Sequence, residues 1–281
     1  MPPTVKKTVM LIALIFLVFH MINITAIILI SNRKNIKKDF FDAISICDKR
    51  AVIEILDRYP NLVNEPLYFL PPIDTPNESP LHTAIRTGDI DLVKTLVERG
   101  AKVNDRFYDD YPLNRALDQG KLDIAWYLIE QGADLTTKNG FGEPVIYCAV
   151  AFGPDADNPQ REELQFELVK YIIDQHAWSE EDRTIDGGYT RTLLGAAAFS
   201  DHAQVVEYLL EKEFYDVDEI ATDAEFRQTA LIVAAMRQSY HACQILLDYG
   251  ADKTIVDAYG KNAMDYAVEM NDERLIAMLS Q

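Results

Sequence analysis

Residues 78–104 read ESPLHTAIRTGDIDLVKTLVERGAKVN, and residues 110–136 read DYPLNRALDQGKLDIAWYLIEQGADLT. Aligned through Ala84 and Ala116, they repeat with a period of 32 residues. Pro80/Pro112, Leu81/Leu113, Gly88/Gly120, Leu96/Leu128, Gly100/Gly132 and Ala101/Ala133 coincide. A fixed period of this size marks a stacked array whose units are each too small to bury their own apolar face. Each copy carries two apolar stripes at helical spacing, Leu81–Ala84–Ile85 and Leu92–Val93–Leu96–Val97 in the first. Helices of roughly 8–10 residues are marginal alone and need neighbours to stack on. Gly100, Gly132 and Gly250 fall just past the second stripe, where a left-handed helix end is expected. Pro80, Pro112 and Pro144 fit a first helical position, where a missing N–H costs nothing.

Further copies follow in both directions. Glu143–Ala177 begins EPVIYCAV, with Cys148 at the alanine position. Arg191–Val217 aligns through Ala196 but lacks the closing Gly-Ala. Gln228–Thr254 keeps Ala234, Gly250 and Ala251, and Lys261–Leu279 aligns through Ala267. A degenerate first copy is Phe40–Asn64, aligned through Ala43. The T-P-L-H-x-A-like start and G-A-D-x-N-like end resemble the ankyrin repeat. The resemblance implies an all-α ankyrin-repeat solenoid of about seven helix-turn-helix repeats with short β-hairpin fingers, over residues 39–281. Irregular connections stand at 65–77, and GPDADNPQREEL at 153–164 reads as an insertion between helices.

The head of the chain is different in kind. The whole chain has a net charge of −18. Residues 1–38 hold six basic side chains and no acid, so residues 39–281 carry −24. Residues 9–30, VMLIALIFLVFHMINITAIILI, contain no charge. As a helix they would span roughly 33 Å, enough to cross a bilayer. The expectation is one N-terminal transmembrane signal anchor within 1–38, with the acidic domain behind it. A cleaved export signal is the alternative, but its apolar stretch is usually roughly 7–15 residues and ends at small residues. Lys6, Lys7 and the amino terminus before the span nearly balance Arg33, Lys34, Lys37 and Lys38 after it, and the positive-inside rule leans only slightly towards a cytoplasmic body. A short lysine-bearing start followed at once by an apolar run is how export signals begin. The body is therefore expected to be extracytoplasmic.

Composition excludes several functions. The acidic excess argues against nucleic-acid binding, which needs attraction to phosphate. There is no G-x-x-x-x-G-K-[S/T], G-x-S-x-G, H-E-x-x-H or C-x-x-C. Asp155–Asn158 opens like a calcium loop, but Gln160 stands where its glycine should be. Cys47, Cys148 and Cys243 read as small hydrophobes in helical stripes. No enzyme, cofactor, metal site or small-molecule substrate is expected.

What remains is protein binding. Ankyrin arrays bind proteins through finger tips and the concave helix face, and the resemblance carries that expectation onto matching positions here. The finger candidates are Phe107, Tyr108, Asp109, Asp110, Tyr111, Phe141, Tyr189, Arg191, Phe226 and Arg227. The concave-face candidates are Arg86, Arg115, Tyr147, Phe152 and Phe199. Aromatics beside charges are the composition of an interface hot spot. An acidic body on a membrane anchor suggests a module that masks a basic protein, as an antidote or immunity protein masks a secreted effector. The rival reading is a scaffold or assembly factor for a resident membrane protein, with His20 and Asn23 facing a partner helix.

Overall fold

A computed structural model describes residues 35–66, 78–107, 110–151, 159–175, 192–220 and 226–281. The expected membrane span at 9–30 lies outside these residues. Among the described residues, no helix is long and apolar enough to cross a membrane.

The chain divides into two compact units, residues 1–101 and 102–281. The first holds α1 (helical over 35–45), α2 (Lys49–Arg58), a 3-10 turn at Pro60–Asn64, α3 (Pro80–Thr87) and α4 (Ile90–Glu98). The second holds α5 (Pro112–Asp118), α6 (Leu122–Glu130), α7 (Val145–Val150), α8 (Pro159–Asp174) and α9 (Leu193–Phe199). It continues with α10 (Ala203–Glu211), α11 (Ala230–Arg237), α12 (Tyr240–Asp248), α13 (Ala263–Glu269) and α14 (Glu273–Leu279). These are the seven helix pairs that the sequence repeats imply.

In the second unit the pairs stack in two layers. The first helices α5, α7, α9, α11 and α13 pack side by side. Behind them α6, α8, α10 and α12 form a second row. The core between the rows is the two apolar stripes, with Leu113, Leu117, Ile124, Leu128, Ile146 and Leu168 fully buried. The β-hairpin fingers are reduced, among the described residues, to two isolated antiparallel bridges, Phe107–Asp110 and Lys138–Pro144.

The helix ends give the register residue by residue. The amide five residues after a small residue donates to that residue's carbonyl: Asp48 to Ala43, Lys121 to Ala116, His202 to Ala197, Ser239 to Ala234 and Asp272 to Ala267. The residue before each of those donors is left-handed: Cys47, Gly120, Asp201, Gln238 and Asn271. In the fifth repeat the buried small residue is therefore Ala197, not Ala196. In the fourth, Pro144 is the residue before α7, its carbonyl accepting from Cys148 N–H. Cys148 thus stands one place early and Ala149 takes the alanine position, while Pro144 is a cap and not a first helical residue. Cys47 is not in a stripe at all. It is exposed, at φ 58°, in the turn after α1.

The second helices end just as regularly. Ala101, Ala133 and Ala251 donate to Leu96, Leu128 and Leu246, across the left-handed Gly100, Gly132 and Gly250. The fifth repeat keeps this geometry without the glycine: Phe214 donates to Leu209 across Glu213, at φ 55°. A side chain in this region costs roughly 1–2 kcal/mol. Replacing Glu213 by Gly is expected to raise unfolding stability by about 1 kcal/mol, read as a later urea midpoint at unchanged slope.

The insertion is partly helix. Residues 159–164 form the first turns of α8, which at 16 residues is the longest helix among the described residues.

Candidate protein-binding surface

In the first unit, Arg86 leaves α3 and pairs with Glu78 at 3.2 Å. Glu78 is buried, and it also accepts the Thr83 hydroxyl at 3.1 Å. Arg86 is thus an exposed cation held by a buried anion.

The second unit offers more. Before α5, Phe107 and Asp110 exchange two backbone hydrogen bonds of 2.8 and 3.1 Å. The Asp110 carboxylate lies 2.6 Å from Arg115 Nε. Burial raises its pKa, and the Arg115 guanidinium works against that rise. The Arg106 guanidinium lies over the Tyr111 ring at 5.9 Å. Arg115 and Tyr111 are half-buried, so this finger is a folded cluster of aromatic and charged groups.

The next described finger is built on Asn139. Its Oδ1 accepts the N–H groups of Phe141 and Glu143, both at 3.0 Å. The turn projects Phe141, which is 84% exposed. The last finger repeats this plan with Asp257, whose Oδ1 accepts from Tyr259 at 2.8 Å and Lys261 at 3.0 Å. It projects Tyr259, 65% exposed. Phe226 stacks on Tyr259, centroids 6.1 Å apart and planes 29° apart, and its carbonyl accepts Ala258 N–H. Tyr259 was absent from the sequence candidates. The signal was available, because Asn139-Gly140-Phe141-Gly142 aligns with Asp257-Ala258-Tyr259-Gly260.

Along the first-helix row, Phe199 at the end of α9 lies under the guanidinium of Arg237 from α11, 4.2 Å away. Phe199, Val233, Met236, Arg237 and Gln228 line a cavity of about 300 Å³. Arg227 is exposed. Tyr147 is a correction: it is 4% exposed, a core residue of α7 and not part of a concave surface. Tyr108, Asp109, Phe152, Tyr189 and Arg191 lie outside the described residues.

Two cysteines are shielded from chemistry. Burial pushes the Cys243 thiol up to about 12, and raises Cys148 as well. Only Cys47 is exposed. A thiol reagent at pH 8 is expected to titrate one thiol rapidly in the folded chain and three in denaturant. Rapid reaction of two or more in the folded chain would contradict the packing around α7 and α12. Among the described residues, no group of three or more His, Cys, Asp and Glu side chains could hold a metal.

The helix pairs, their left-handed ends and the finger turns agree with a direct comparison. The family described as ankyrin repeats, in a model of three copies, matches at residues 44–139 and 215–281, more than half of the chain. The chain belongs to the ankyrin-repeat family. An 88-residue stretch of this ankyrin-repeat protein is 33% identical to diacylglycerol kinase iota of Rattus norvegicus and of Homo sapiens. That stretch is 31% of this chain and 8% of the kinase. The chain spans less than a tenth of those relatives, and the likeness concerns ankyrin repeats. Among solved structures, the ankyrin-repeat protein EF0377 matches at TM-score 0.53 and 28% identity, over 72% of this chain and 96% of that one. The human ASB11 ankyrin repeat domain matches at TM-score 0.55 and 20% identity, over 85% and 96%, a likeness of fold alone. A chain from the complex of the Bdellovibrio bacteriovorus predatory endopeptidase Bd0816 with immunity protein Bd3460 matches at TM-score 0.54 and 26% identity, over 71% and 96%. Ankyrin repeats are protein-interaction modules, and in this one Phe141 and Tyr259 stand exposed at the finger turns.

Proposed function

We propose that this ankyrin-repeat protein is a non-catalytic module, tethered to a membrane by its N-terminal segment, that binds and masks a basic protein outside the cytoplasm. The reading makes it an immunity protein for a secreted effector. The observation that carries it is the charge split: a basic, apolar head of 38 residues joined to an acidic body of −24. Such a body steers a basic partner towards it. The finger aromatics Phe141, Phe226 and Tyr259 supply the apolar contacts that charge alone does not. The resemblance to a chain of an endopeptidase–immunity complex supports the class of partner.

The test is co-purification from native membranes at low salt. The expected result is one stoichiometric basic protein, released as ionic strength rises towards 1 M, where the screening length falls to about 3 Å. Recovery of no stoichiometric partner overturns the reading. Protease added to intact and then to permeabilised cells locates the body. Cleavage that requires opening of the inner membrane contradicts the exported placement.

A second reading has its own observation. His20 and Asn23 sit three apart, on one face of the expected span. Polar groups placed there can join a partner helix, and the protein would then be a scaffold or assembly factor for a membrane protein. Replacing residues 9–30 by an unrelated apolar helix separates the two. A tether keeps its function, and a helix-pairing scaffold loses it.

A further inference from the structure

The cavity between α9 and α11 is lined on its apolar side by Phe199, Val233 and Met236. Two polar features make it more than a gap. The Arg237 guanidinium covers the Phe199 ring at 4.2 Å, so a delocalised cation forms part of the wall. The second is Gln228. Its Nε2 donates to Met236 Sδ at 3.1 Å, while its Oε1 is buried with no hydrogen-bond partner. A buried carbonyl oxygen without a donor costs about 1–3 kcal/mol, and such groups are rare enough in folded proteins to need a reason.

We infer that this cavity is the anchor pocket for one aromatic side chain of the protein partner, a tyrosine or tryptophan whose O–H or N–H meets Gln228 Oε1 when that buried amide turns towards the cavity. The inference rests on the protein-binding reading and names the chemistry it selects. The volume, about 300 Å³, suits one large side chain and not a helix or a strand. Apolar walls receive the ring. Arg237, part of the wall, adds a cation with which an incoming ring can interact as Phe199 does, an arrangement that gains further once water is excluded. Gln228 then discriminates, because a phenylalanine would fill the same space and leave Oε1 unpaired. A leucine would gain neither the ring contact nor the hydrogen bond. Tyrosine and tryptophan are the residues that combine an apolar body with a donor at the tip, which is why they dominate interface hot spots.

The pocket can be read without the partner. The full chain in nanodiscs, carrying 13C-methyl methionine, gives one probe inside the cavity among its 7 methionines. Met236→Leu assigns that signal. N-acetyl-tyrosinamide and N-acetyl-tryptophanamide are expected to shift it saturably. N-acetyl-phenylalaninamide should bind about tenfold more weakly, and N-acetyl-leucinamide should leave the signal in place. In Gln228→Leu the advantage of tyrosine over phenylalanine should vanish while ring binding survives. The inference is overturned if no aromatic amide moves the Met236 methyl. It is equally overturned if phenylalanine matches tyrosine in the unsubstituted chain, or if Gln228→Leu keeps the preference. A silent pocket alongside a recovered basic partner removes this inference alone, whereas absence of any partner removes the reading beneath it.

Discussion

Asp257→Ala is expected to destabilise the C-terminal repeats by about 3 kcal/mol, and Asp257→Asn by less than about 1 kcal/mol. Asp257 is buried at the root of the last finger. Its Oδ1 accepts Tyr259 and Lys261 N–H, and its Oδ2 accepts the Tyr266 hydroxyl at 2.6 Å. Alanine leaves three donors to find other partners, and the finger that presents Tyr259 loses its fixed turn. Asparagine has a precedent within the chain. Asn139 holds the same turn by the same two amide bonds, and its Nδ2 reaches Cys148 Sγ at 3.5 Å, at the position equivalent to Tyr266. An asparagine at 257 keeps both backbone bonds, and its amide can donate to the Tyr266 oxygen. Urea unfolding of the three chains measures the difference. Equal losses for the two variants would mean that the turn does not depend on the Oδ1 bonds.

The same site sets a direction with pH. Burial, and then the hydrogen bond to Asp257, push the Tyr266 hydroxyl above its ordinary value. A group whose folded pKa is raised contributes its stability fully below the unfolded value, about 10 for tyrosine, and loses it as pH climbs through the folded value. Cys243, at about 12 against an ordinary 9, acts in the same sense. Stability should therefore fall from about pH 9 upwards. Tyr266→Phe should flatten the part of that fall above about pH 10, as urea midpoints taken across the alkaline range would show.

How much of this was legible in the sequence depended on which residue types the backbone demands. Gly88, Gly120, Gly100 and Gly132 announce left-handed helix ends, because glycine adopts them without cost, and the repeats they punctuate were read correctly. Where Cys47, Asp201, Glu213 or Gln238 takes the same conformation, no residue type announces it. The fifth repeat then appeared to lack an ending that it has. Runs of small residues hid the register as well: Cys148-Ala149 and Ala196-Ala197-Ala198 fit the alanine position in more than one way. Burial of Tyr147 follows from that slip, since the true register carries its ring into the core. The cavity was not legible at all. Phe199 and Arg237 are 38 positions apart and belong to different repeats, so their contact exists only once α9 and α11 are stacked. Tyr259 was legible and overlooked, because the alignment with Phe141 runs through a turn in which only the closing Gly142 and Gly260 are identical.

That register makes a sharp prediction in α9. Ala197→Leu is expected to cost about 3 kcal/mol, and Ala196→Leu less than about 1 kcal/mol. Ala197 has no exposed surface and lies within the row of first helices, where α9 packs against α7 on one side and α11 on the other. Its carbonyl also receives His202 N–H at 3.0 Å, which fixes the entry to α10. Three added carbons there must displace a neighbouring helix or force a strained rotamer, because Ala197 is fully enclosed by its neighbours. Ala196, one residue earlier, is only partly buried, so a leucine there can turn towards solvent. In a stacked array the damage has a second consequence. Each repeat is stable through its interfaces, so forcing α9 and α11 apart weakens the coupling between the repeats on either side. Ala197→Leu should therefore broaden or split the urea transition as well as shift it, and should close or distort the cavity lined by Phe199 and Arg237. Ala196→Leu should leave both the transition and the Met236 methyl signal where they were. The reverse ranking would return the alanine position to Ala196 and would undo the assignment of Asp201 as the left-handed end of α9.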